Sequence, residues 1–164
     1  MDPERADLLE TLAKHRGLLL RTTRRLTDEQ AAMRTTVSAL SVGGILKHLT
    51  ATEQRWADFI EQGPGAFAPV DAATAQVQAD TFHVDAPLTV LLERYDAAAQ
   101  RSDALVASLP SLDASHPLPE APWFPPGARW SARRVFLHLI AETAQHAGHA
   151  DIIREALDGR KTMG

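Results

Sequence analysis

Cysteine is absent from all 164 residues. Disulfides and thiolate metal sites are thereby excluded, and any thiol chemistry needs sulfur brought in from outside. Aromatic residues are scarce, at 5%, and the apolar content is instead rich in Ala and Leu, a balance that favours helices over sheets. No apolar run approaches the roughly 18 residues that would cross a bilayer. The opening stretch MDPERADLLE lacks the apolar segment of a secretion signal. A cytoplasmic location with no membrane partner is the expectation. Dense basic clusters are missing too. Lys and Arg number 17 against 21 Asp and Glu, a net charge of −4, so nothing tracks a phosphate backbone and nucleic acid is not an expected partner.

What is present is the composition of an ordinary globule, 45% hydrophobic and 23% charged. No repeat or boundary divides it, and residues 1–164 read as one domain. Four long segments carry helical periodicity. The first runs from Pro3 to Arg25, with Leu8, Leu12 and Leu19 as its stripe, and a short capped helical piece follows from Thr27. The second follows Ser41, with Ile45, Leu49, Trp56, Phe59 and Ile60 on one face, and stops at Gly63. The third runs from Pro87 to Pro110, and the fourth from Ser131 to Gly159. Two long proline-rich connections join them. Residues 63–87 allow a short helix near 72–79. Residues 110–130 contain Pro117, Pro119, Pro122, Pro125 and Pro126, from which no regular structure is expected. The economical architecture is an all-α four-helix bundle with long crossover loops.

The last helix carries an unusual constellation in HLIAETAQHAGHADIIREALDG, residues 138–159. At helical spacing His138, Glu142, His146 and His149 fall along the stripe of Val135, Leu139, Ile153 and Leu157. Glu142 and His146 are four residues apart, so one helix face can offer both to a single cation. A third ligand has to come from elsewhere. His48 on the second helix is one candidate, at the edge of its apolar stripe near Thr52, Arg55 and Phe59; by spacing alone His149 is as good. A lone histidine on an apolar face is ordinarily a hydrogen-bonded core residue, the reading given to His15 and His138, while His83 and His116 read as solvated loop residues. An inward carboxylate is harder to explain without a cation, because unpaired burial costs several kcal/mol. Gly43 and Gly44, a turn before His48, imply that another backbone approaches closely there.

The pairing of GGILKHLTATEQRW with ETAQHAGHADIIREALDG resembles the DinB-like superfamily of four-helix bundles, in an uncharacterised actinobacterial-type branch. In layout it is also similar to mycothiol-dependent maleylpyruvate isomerase and bacillithiol transferases. The resemblance covers nearly the whole chain. It implies a divalent metal between the second and fourth helices, with His48, Glu142 and His146 as ligands and zinc ahead of nickel or iron. It places His149 behind the ligands or facing substrate, with replacement ligand as the rival role. It also implies a mycothiol-type thiol as cofactor, a small electrophile as co-substrate, and a homodimer as one assembly, although nothing in the sequence itself fixes the last.

Two imidazoles and one carboxylate leave a cation with an open position, the arrangement of catalytic rather than structural sites. Water there points to a hydrolase; a small thiol there becomes a nucleophile. The resemblance tips the reading toward a metal-dependent thiol S-transferase or isomerase. A metal-dependent hydrolase and a non-catalytic, stress-related metal-binding bundle stand as alternatives. Substrate contacts fall to the rim, where Trp123, Arg129 and Trp130 precede the fourth helix and Arg55 lies beyond His48. Plugging the bundle end is the ordinary role for those aromatics, and solvation the ordinary state of Arg55. The electrophile and the metal's identity are not legible.

Overall fold

A computed structural model describes residues 2–67 and 80–162. Helix α1 spans Pro3–Thr22, with Asp2 accepting from the Arg5 amide at its N-cap and proline in the first turn. The short α2, Asp28–Ala32, opens on a reciprocal capping box between Thr27 and Gln30. Helix α3 covers Val42–Gln62, capped by the Ser41 hydroxyl and stopped at Gly63, whose φ is +77°. Helices α4 (Leu88–Ser108) and α5 (Ala132–Asp158) complete the four long elements. Gly159 ends α5 in the left-handed conformation. The all-α bundle expected from periodicity is therefore the architecture observed. No helix among the described residues is long and apolar enough to cross a membrane.

The second connection departs from expectation. Ser115–Pro117 (β1) and Arg129–Ser131 (β2) form a small antiparallel ladder, with His116 opposite Trp130. The prolines do not prevent this, because Pro117 ends its strand and the other four lie in the turn between the strands. His116 is not a solvated loop residue either. It is half-buried, and its Nε2 lies 3.2 Å from the Ile60 carbonyl. The short helix expected near 72–79 lies outside the described residues.

Two apolar clusters fill the bundle. One surrounds Leu12, Phe59, Phe136 and Leu139; the other surrounds Leu19, Ile45, Leu49, Leu91 and Ala150. Along each helix a buried polar residue stands between them: Arg16 on α1, Glu53 on α3, Ser102 on α4 and Thr143 on α5. Arg16 grips Glu53 through two parallel N–H bonds, one of 2.9 Å from Nε and one of 2.7 Å from Nη2. Its Nη1 reaches the Asp103 carboxylate at 2.7 Å. This layer lies one residue from Glu142 in the chain, level with the constellation on α5.

Candidate metal centre

Helices α3 and α5 run antiparallel, as shown by His48 meeting His146 at one end and Trp56 meeting His138 at the other. That pairing sets the constellation in the groove between them. Buried Val135, Leu139 and Ile153 form the true core stripe of α5. His138, Glu142, His146 and His149 are only half-buried, so they run along the edge of that stripe rather than within it. The difference matters chemically, since a groove-edge carboxylate keeps access to solvent and to ligands.

The structure brings one His/Glu triad together among the described residues. One ligand atom from each of His48, Glu142 and His146 lies within 4.8 Å of the others. Glu142 Oε2 stands 3.6 Å from His48 Nε2 and 3.7 Å from His146 Nε2. Donors about 2.1 Å from one tetrahedral cation would lie about 3.4 Å apart, so the two spacings to Glu142 fit such an ion closely, and the two imidazoles, within 4.8 Å of each other, would draw together around it. The donor chemistry fits as well, two imidazoles and a carboxylate suiting a borderline divalent ion. The charge states agree. His48 beside it holds the Glu142 carboxyl below its usual range, against the opposing pull of burial. Burial, with His48 nearby, takes His146 down to about 4, so its ring is neutral and free to donate a lone pair at neutral pH.

Phe82 closes one side. Its ring stacks on His48 at 4.5 Å between centroids and lies 5.9 Å from His146. It can do so because α3 carries glycine where the segment crosses: a Cβ on Gly44 would overlap the Phe82 carbonyl, and one on Gly43 would meet Val84 at 3.0 Å. The close backbone approach expected at these glycines is present. Lys47 secures the same segment through the His83 carbonyl at 2.9 Å and Asp85 at 3.1 Å. Beside the triad a cavity of about 230 Å³ is lined by His48, Ala51, Thr52, Arg55, Thr81 and Phe82.

The remaining sequence candidates separate. His149 is not in the triad; its Nδ1 lies 3.4 Å from His146 Nδ1, on the ring edge opposite the Nε2 that faces Glu142. Trp130 stacks on Trp56 at 4.8 Å and meets His138 edge-on at 5.2 Å, two contacts short of the triad. Trp123 is 57% exposed and touches Phe124, while Arg129 donates to the Ser115 carbonyl at 2.7 Å, bracing the hairpin. Sequence reasoning missed two neighbours of the triad, His138 and Phe82, and the buried charge of Glu53 in the adjoining layer. His138, read as a core histidine, has its Nε2 3.8 Å from Glu142 Oε1; its i, i+4 spacing to Glu142 was the available signal. Glu53 continues the Leu49–Trp56–Ile60 face and could have been read as a buried charge. Phe82 had no signal of its own beyond the glycines it crosses.

A helical bundle carrying a His/Glu/His cluster in the groove between two antiparallel helices defines the class, a DinB-like protein with a candidate metal centre. The family model for mycothiol-S-transferases matches residues 7–159, and the chain belongs to that family. Membership assigns it a mycothiol S-transferase-like function with a small-molecule thiol as one substrate. Among solved structures, a conserved protein from Enterococcus faecalis is similar over 98% of this chain and 99% of its own, with a TM-score of 0.72 and 13% identity, a likeness of fold alone. No curated protein matches.

Proposed function

We propose that this chain, acting as one domain, transfers a mycothiol-type thiol to small electrophiles with the help of a divalent cation held by His48, Glu142 and His146. The observation that carries the reading is the convergence of those three groups from two antiparallel helices beside an open cavity. A zinc ion bound there, or nickel or iron with the same donors, would act as a Lewis acid that lowers the pKa of a coordinated thiol. The chain's own residues do the rest. His48 and His146 would bind through ring-nitrogen lone pairs and Glu142 would contribute the one negative charge, leaving the site cationic overall. Phe82 shields the His48 face from water. The neighbouring cavity, with Thr52, Thr81 and Arg55 on its wall, receives thiol or electrophile. With no cysteine in the chain, the sulfur nucleophile belongs to the co-substrate.

The test is metal content and thiol-dependent turnover, measured for the protein and for His146→Ala. The expected result is bound metal and turnover that needs added thiol, both lost in the variant. Equal metal in both proteins would overturn the site. Turnover of an ester or amide without thiol would replace the reading by metal-assisted hydrolysis.

A further inference from the structure

The two oxygens of Glu142 face different partners. Oε2 stands between His48 and His146, at 3.6 and 3.7 Å from their Nε2 atoms. Oε1 faces the other way, 3.8 Å from His138 Nε2. His138 does not join the ligand cluster. It precedes Glu142 by one helical turn, and its ring is gripped edge-on by two indoles: Trp56 at 5.0 Å and 71°, Trp130 at 5.2 Å and 63°. Those indoles stack on each other with 14° between their planes. The Arg134 guanidinium covers Trp130 at 4.1 Å from the ring centroid. The imidazole is thus held in one orientation by packing, with its Nε2 edge toward the carboxylate.

We propose that His138 is a positioning residue, whose Nε2–H holds Glu142 Oε1 so that only Oε2 is presented to the cation. The inference rests on the reading that His48, Glu142 and His146 hold a metal. The separation of Nε2 and Oε1 is 3.8 Å. The role requires ring and carboxylate to close that gap to a hydrogen bond of about 2.9 Å. Its consequence is a coordination number. A carboxylate free at both oxygens can bind a cation through both, occupying the position the thiol needs. One tied by Oε1 binds through a single atom and leaves that position open. The indole pair has a role in the same arrangement, since it fixes the ring that fixes the carboxylate.

The experiment compares the protein with His138→Phe, which keeps a ring between the indoles but removes the donor, and His138→Gln, which restores a donor. Zinc affinity is measured by chelator competition, ligand geometry by the visible spectrum of the cobalt(II)-loaded protein, and packing by the melting temperature of the metal-free protein. Expected are a roughly 10- to 100-fold loss of zinc affinity and an altered cobalt spectrum in His138→Phe, with metal-free melting close to the parent. His138→Gln should recover most of both. Parent-like affinity and spectrum in His138→Phe, while His146→Ala loses its metal, would overturn the role of His138 and leave the metal site standing. A cobalt spectrum showing loss of one imidazole ligand in His138→Phe would overturn it by making His138 a ligand. If His146→Ala retains metal like the parent, the site itself fails. If His138→Phe does not fold, His138→Leu replaces it as the donor-free variant, with the same expected loss beside His138→Gln, and parent-like affinity and spectrum in His138→Leu overturn the role.

Discussion

Phe82 lies on His48 nearly face to face, 4.5 Å between ring centroids with 25° between their planes. The contact depends on a residue that is not aromatic at all. Gly44, one turn before His48, leaves room for the Phe82 carbonyl where any side chain would collide. In most exposed helix interiors Gly→Ala stabilises by up to about 1 kcal/mol. Here Gly44→Ala is expected to destabilise by about 1–3 kcal/mol, because backbone must give way. It should weaken metal binding as well, by freeing the His48 ring. Denaturant titration and zinc affinity check the two effects; a stabilised variant would mean that the segment shifts without penalty.

The Arg16–Glu53 pair is buried on both sides, with side chains 6% and 1% exposed. Removing Glu53 leaves the buried Arg16 guanidinium with only the part-exposed Asp103 as its counter-charge. Glu53→Ala is expected to lose about 3 kcal/mol in chemical denaturation, the low end for a broken buried pair because Asp103 remains. The double variant Arg16→Met with Glu53→Leu should be closer to the parent than Glu53→Ala is. If the single variant loses less than the double, the pair does not act as a unit.

Acid stability of the metal-free protein follows from His146. Burial holds its folded pKa at about 4, against 6.5 for the free side chain. Between those values the unfolded chain binds the extra proton, so stability must rise with pH through that window and level off above it. His146→Gln should flatten this part of the profile, measured as melting temperature against pH in the presence of chelator. An unchanged slope would assign the dependence to another group.

Arg55 is exposed, has no ion-pair partner among the described residues, and shares the cavity wall with His48. A guanidinium in that place suits an electrophile bearing a carboxylate. Arg55→Ala is expected to raise KM for anionic electrophiles about tenfold, the equivalent of roughly 1.4 kcal/mol, and to leave neutral ones unchanged. An equal effect on both substrate classes would show that the charge is not read.

Chain-local signals were enough for the helices. Ser41, Thr27 and Ser131 cap their helices through side-chain oxygens, and Gly63 and Gly159 end theirs at positive φ, all within a few residues of sequence. The pairing of Glu142 with His146 was equally local, since a helical turn brings residues four apart together wherever the helix lies. Local signals failed where partners came from distant elements. The hairpin of His116 and Trp130 was hidden by the prolines between them. The burial of Glu53 depended on an arginine 37 residues earlier in the chain.

The identity of the third group in the triad is the sharpest case. By spacing alone, His48 and His149 were equivalent as the third ligand beside Glu142 and His146. The antiparallel packing of α3 on α5 turned His48 Nε2 toward Glu142 and left His149 behind the His146 ring. Sequence by itself determined which helices form, where they stop and which residues share a face, because caps and periodicity act over a turn or two. Only the tertiary structure decided which imidazole faces the carboxylate and which lies behind the His146 ring. That depends on how two helices far apart in the chain are rotated against each other by their apolar cores.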